Sequence, residues 1–139
     1  MPSKAQMIRD AITVEIRKVA GIGATGSDWT TFEKEGRLPA AYTILDTSEA
    51  SRGPTQSKEV LAHIRIPTIV RSQEPENAFD DLMAAIENEI EDEPSLGGIA
   101  HDAWVSGCGA FATAKTIAGE VYVRDIFVEV EYRHDRGAA

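Results

Sequence analysis

Cysteine is nearly absent from this chain: Cys108 is the only one in 139 residues. That excludes an internal disulfide and fits a reducing compartment. Basic residues are also scarce, with 14 Lys and Arg against 23 Asp and Glu for a formal charge of −9. A nucleic-acid-binding surface needs clustered cations to displace counterions, so that class is disfavoured, although DNA can pass close by without sticking. Long apolar runs are missing, and none approaches the ~20 residues that cross a bilayer. The opening MPSKAQMIRD lacks the uninterrupted apolar stretch of a signal peptide. No G-x-S-x-G, H-E-x-x-H or Walker sequence occurs. His63, His101 and His134 lie far apart, without the i, i+4 or Cys-paired spacing of a metal site. The expectation is a protein that is not an enzyme, with no catalytic, cofactor-binding or metal-binding residues.

What is present is an ordinary soluble composition, 42% hydrophobic and 27% charged. A chain of this length typically forms one domain and buries roughly 68% of its unfolded surface, enough to fold without metal or disulfide. The strongest pattern runs from Pro75 to Glu93. Phe79, Leu82, Met83, Ile86 and Ile90 recur at i, i+3, i+4, i+7 and i+11, which is one face of a helix. Pro75 suits the first turn, and Pro94 with Gly97-Gly98 stops the run. Residues 3–20 carry a second stripe, Ile8, Ile12, Ile16 and Val19, with Ser3 placed to cap it. Ile12, Val14 and Ile16 also alternate as a strand does, but the Ala, Met, Arg and Lys content favours helix.

Four segments read as strands. Residues 41–46 form a short β-prone run, and 58–70 alternates with Val60, Ala62, Ile64 and Ile66 on one face. Pro67 places the end of that segment at an edge or bulge. Residues 103–114 are rich in small side chains, with Gly107 and Gly109 suggesting a bulge. In 121–133, Ile126, Val128, Val130 and Tyr132 share one face, and Phe127, Glu129 and Glu131 the other. Arg124 and Asp125 interrupt the alternation, which a bulge there would explain. The order is α-β-β-α-β-β: an α+β fold with a mainly antiparallel four-stranded sheet and helices packed on a face. Around this single domain, 1–139, the expectation adds a long Gly-rich loop over 21–38, a mobile hairpin tip over 47–57 and a frayed end over 134–139. Trp29 and Phe32 either tuck under the Gly-rich loop or wait for a partner.

Several motifs invite chemistry and are weighed against plainer readings. Gly21 to Gly26 spells G-x-G-x-x-G, with Asp46 twenty residues on. A dinucleotide fingerprint needs a strand before it and a long helix opening on it, whereas a helix precedes this one, so a flexible loop is preferred. Glu87, Glu89, Glu91, Asp92 and Glu93 splay around a helix end and do not converge from a loop as cation ligands do. Five negatives at a helix C-terminus oppose its dipole and suggest a basic partner. A pairing of Cys108 with His63 or His101 stays open, but S-G-C-G-A matches no activated nucleophile.

Taken together, the L-P-A-x-Y-T-I segment (Leu38 to Ile44), the I-R-I-P strand end (Ile64 to Pro67), the G-G-I turn (Gly97 to Ile99) and the closing F-V-E-V-E-Y-R strand (Phe127 to Arg133) carry a resemblance. Over roughly residues 5–133 the chain resembles the tail terminator (minor tail or tail-completion) proteins of long-tailed bacteriophages. The resemblance implies an α+β virion protein of the tail, assembled in the host bacterial cytoplasm. Such proteins close as rings, commonly hexamers, cap the tail tube, stop its polymerisation and present a surface to the head–tail connector. Its partners would be itself, the tail tube protein and the connector, with DNA passing through unbound and no membrane contact. A sheet edge at Val60, Ala62, Ile64 and Ile66, or along 120–132, would join subunits by strand addition, with Trp29 and Phe32 as further interface candidates. Asp125, Glu129 and Glu131, or the acidic side chains of the central helix, would line the lumen and repel passing DNA. A head–tail connector or neck protein is the alternative, and a small ligand-binding domain or enzyme a more distant one.

Overall fold

The first helix, α1 (Lys4–Arg17), starts where its sequence says it should: Ser3 is the N-cap, and its hydroxyl accepts a hydrogen bond from the Gln6 amide (3.1 Å). Ile8, Ile12 and Ile16 are fully buried while Val14 is 47% exposed, so the stripe obeys the helical period and not the strand alternation. The computed structural model describes residues 3–26, 38–52, 57–116 and 119–135. The central helix, α2 (Pro75–Asp92), has Pro in its first turn and buries Phe79, Leu82, Ile86 and Ile90. Both helices lie on the same face of one sheet, over a core of Val60, Ala62, Ile64, Ile66, Val128 and Val130.

The sheet contains β1 (Ala24–Gly26), β2 (Ala40–Tyr42), β3 (Ile44–Arg52), β4 (Ser57–Val70), β5 (Asp102–Cys108), β6 (Ala112–Thr116) and β7 (Gly119–Asp135). Its order is β1-β2-β4-β7-β5, with β3 also paired to β4 and β6 also paired to β7. The spine is the antiparallel β4–β7 ladder, unbroken from Ser57 opposite Asp135 to Val70 opposite Tyr122. The β1–β2 pair is parallel and every other pair antiparallel. The sheet is therefore seven-stranded and mixed, and the expected four-stranded, mainly antiparallel sheet is overturned. Two breaks and one addition account for the difference. Thr43 separates β2 from β3, residues 109–111 separate β5 from β6, and β1, Ala24–Gly26, is strand within the segment expected to be a Gly-rich loop.

Other expectations are corrected at the level of single elements. Residues 47–57, read as a polar hairpin tip, are strand through Arg52 and again from Ser57, in register with β4 from Ser48 opposite Ala62 to Arg52 opposite Lys58. Polar composition suggested a turn, but ladder hydrogen bonds need no apolar side chains. No bulge occurs at Arg124-Asp125, since Thr68 and Pro67 pair with them in unbroken register. The alternation changes there because the second face of the sheet has its own small core, where Val121 joins Ala24, Ala40, Tyr42 and Ile69. Pro67 lies in a central strand and not at an edge. Opposite it, β2 ends at the Ala41–Thr68 pair and β3 begins at the Ile44–Arg65 pair, so the ladder on that flank is open where Pro67 has no N–H to offer. The real shifts of register lie between Leu45 and Thr47 and between Val105 and Gly107.

Two close approaches hold the start of the sheet. The Gly23 amide donates to the Pro39 carbonyl (2.7 Å), and the Arg17 Nε donates to Thr25 Oγ1 (3.2 Å). A Cβ on Gly23 would fall 2.7 Å from the Leu38 carbonyl oxygen, so only glycine fits without backbone movement. Truncation of Ile86, at 0% exposure, is expected to cost about 2–5 kcal/mol in urea denaturation. Gly23→Ala should also lower the midpoint, whereas Ala84→Ser on the exposed face of α2 should leave it nearly unchanged.

Candidate functional site

The face of the sheet turned away from the helices is where charge and aromatic surface meet. Register places His63, Glu129 and Trp104 in one row across β4, β7 and β5, and Arg65, Phe127 and Gly107 in the next. His63 Nδ1 contacts Glu129 Oε2, and the Ser106 hydroxyl donates to the other carboxylate oxygen (3.3 Å). Arg65 Nη1 lies 3.6 Å from Asp125 Oδ2. Farther along, Glu59 receives Arg133 Nε at 3.0 Å and has His101 Nε2 at 3.8 Å. These pairs are partly solvated, so each contributes little to stability; together they lace β4 to β7 with polar contacts along the open face.

Each residue singled out from sequence has a definite place, with two exceptions. Asp125, Glu129 and Glu131 do share this open face, but Asp125 and Glu129 are engaged by Arg65 and His63, and Glu131 alone of the three is exposed. Val60, Ala62, Ile64 and Ile66 are buried beneath the helices, at 7%, 1%, 1% and 0% exposure. Their strand, β4, is flanked by β3 and β7 along its length, and β7 by β4 and by β5 and β6. Neither Val60–Ile66 nor 120–132 is a sheet edge, so neither can add a strand. Apolar alternation marks a buried face equally well in central and edge strands, and this ambiguity misled the sequence reading. Trp29 and Phe32 lie outside the described residues, as do most of 21–38 and the last four residues of the chain.

Other chemical suggestions are not assembled. Cys108 pairs with Ile126 and so belongs to the helix-facing side, whereas His63 pairs with Glu129 on the open side; the sheet separates them. His101, beyond the far end of β5, turns to Glu59 on the open side as well. A strand does not precede the G-x-G-x-x-G segment; α1 does, and Ala24–Gly26 is itself strand β1. Among the described residues, no group of three or more His, Cys, Asp or Glu comes together as a metal site. Also among the described residues, no helix is long and apolar enough to cross a membrane. Trp104 was missed from sequence because the register shift between Val105 and Gly107 obscures which face each β5 residue takes.

Lys18, the C-cap of α1, makes 3.0 Å contacts with both carboxylate oxygens of the buried Glu15. That hydrogen bond, supported by the charges of Glu15, Glu89 and Glu93, holds the ammonium above its ordinary pKa. A cleft of about 410 Å³ lies between α2 and the segments that follow α1 and β4, lined by Val19, Leu38, Val70, Arg71, Asp81 and Leu82 among others. Compared with known proteins, the chain matches no protein-family model and no curated protein.

Burial raises the pKa of the Tyr132 phenol. Both Lys18 and Tyr132 hold their protons more tightly folded than unfolded. Their contribution is complete below the ordinary values of 10.5 and 10.0 and is lost as pH rises through the raised folded values. Stability is therefore expected to fall on the alkaline side, and ultraviolet titration of the wild type minus Tyr132→Phe should show a phenol ionising above 10.0. A difference titration centred at or below that value would contradict the burial effect.

Proposed function

We propose that this chain is a tail terminator protein, which closes as a ring on the tip of a bacteriophage tail tube, ends its polymerisation and offers the surface for head attachment. The observation that carries the reading is where the resembling segments fall. Leu38 to Ile44 leads through β2 into β3, Ile64–Pro67 lies in β4 and Phe127–Arg133 in β7, and the G-G-I turn links α2 to β5. Segments scattered in sequence thus occupy adjacent strands of one sheet and the turn beside it. The α+β layering, with both helices on one face, is also the kind the resemblance implies. Rings of identical subunits use heterologous contacts that close by rotation.

In this reading the open face of β4, β7 and β5 turns toward the lumen. Glu131 supplies exposed negative charge there, while Asp125 and Glu129 are moderated by their partners on β4. A neutral or acidic wall lets DNA slide without the counterion release that would make it stick. Partners in this role are further copies of the chain, the tail tube protein and the head–tail connector, with no cofactor involved.

Native mass spectrometry across micromolar concentrations, with negative-stain imaging, is expected to show a six-fold ring with an open lumen, formed alone or on added tail-tube tips. A monomer that stays monomeric in the presence of tube tips would overturn the proposal. The double reversal Glu129→Arg and Glu131→Arg is expected to slow DNA passage through assembled tails; unchanged passage would remove the lumen assignment and leave the ring untouched.

A further inference from the structure

The helix side of the molecule carries an exposed apolar stripe and an apolar cleft. On α1, Met7 and Val14 are the large hydrophobic side chains left exposed among the described residues, at 37% and 47%. They lie about two turns apart with Ala11 between them, so the three form a row outside the buried isoleucine stripe. The cleft between α2 and the segments that follow α1 and β4 is lined by Val19, Leu38, Val70 and Leu82, with the short side chains of Ala78 and Ala85 leaving it open. At about 410 Å³ it is too small for a helix ~10–12 Å across, but it has room for side chains from one face of a helix.

The charges beside stripe and cleft are complementary. Arg71, just after β4, and Asp81, on α2, both line the cleft, a cation and an anion from different walls. Lys4 and Asp10 flank the stripe. Each lies three residues from Met7, so at ~3.6 residues per turn they fall about 60° to either side of it. None of these four charged side chains has a hydrogen-bond or ion-pair partner among the described residues. Unpartnered surface charges are ordinary one at a time. Here one cation and one anion bracket the apolar row, and another such pair stands at the apolar opening.

We infer that Met7 and Val14 of one copy seat in the cleft of a second copy, with Asp10 facing the second copy's Arg71 and Lys4 facing its Asp81. The inference rests on the ring reading and names a contact that builds the ring. Stripe and cleft are different surfaces, so the contact is heterologous, as closure by rotation requires. Both belong to the helix side, so the contact leaves the open face of β4, β7 and β5 uncovered. Affinity comes chiefly from the apolar side chains, while the solvated ion pairs set which way round the helix lies. Two side chains in a cleft fall well short of the ~800 Å² per partner of a stable pair, so each contact is weak and ring closure, or the tube tip, holds the set together.

The test exchanges charges in the full chain. Asp10→Arg and Arg71→Asp each set like charges across the contact, and each variant alone is expected to need at least about tenfold more protein than the wild type to form rings. Both residues are exposed and unpartnered, so the thermal midpoint of the dissociated subunit should stay close to that of the wild type. Mixed in equal amounts, the two variants should regain wild-type assembly. In an alternating six-membered ring, the new cation of one meets the new anion of the other at one contact, and the original Asp10 meets the original Arg71 at the next. Rescue by mixing requires a contact between copies, since altered folding of either variant would persist in the mixture. Rings are counted by native mass spectrometry and negative-stain imaging, with tube tips supplied. Single variants that assemble like the wild type, or a mixture no better than its components, would overturn this contact while leaving the ring itself standing. Absence of any wild-type ring would overturn both.

Discussion

Everything in this fold depends on the β4–β7 ladder and the apolar face it turns to the helices. All fourteen residues of β4 find partners on β7 without a break. A one-residue slip anywhere would send Val60, Ala62, Ile64 and Ile66 to the open side and bring His63 and Arg65 under Phe79 and Ile86. Burying the Arg65 guanidinium and the His63 imidazole without partners is far costlier than the slip could repay. The register is therefore held by side-chain chemistry on both faces at once. The two helices complete the layer, α2 burying four large side chains and α1 three isoleucines against the same surface.

From that spine the remaining features follow as accommodations. Pro67 would ordinarily be excluded from a central strand, and it is tolerated where β2 and β3 part. The interruption at Arg124-Asp125 marks where the second face changes from open ion pairs to the small core around Tyr42 and Val121. Arg124 itself stays on the helix side, where its Nε donates to the Gly109 carbonyl and its guanidinium lies 5.9 Å from the rings of both Phe79 and Phe111. That contact satisfies a cation at the margin of an apolar layer. At the close of α1, Lys18 pairs with Glu15, whose carboxylate is buried.

The functional proposal draws on the position of the resembling segments, and the structure changes its details. The face chosen for the lumen is a single face, but two of its three acids have partners on β4. The strands chosen for subunit contact are interior ones.

The sequence by itself determined the elements whose periodicity is intrinsic to one chain segment: α1 with its Ser3 cap, α2 over 75–92, and the alternating β4 and β7. Each of these carries its burial pattern in its own spacing, because a helix or strand presents one face to whatever covers it. Tertiary structure decided the rest. It made strands of 47–52 and of Ala24–Gly26, whose side chains carry no alternation and whose order comes from a neighbour's hydrogen bonds. It also decided which strands became edges, and it paired His63 with Glu129 and Arg65 with Asp125 across sixty residues or more. Backbone pairing is non-local, and a composition that looks like a turn becomes a strand when a complementary ladder lies 4.7–4.9 Å away.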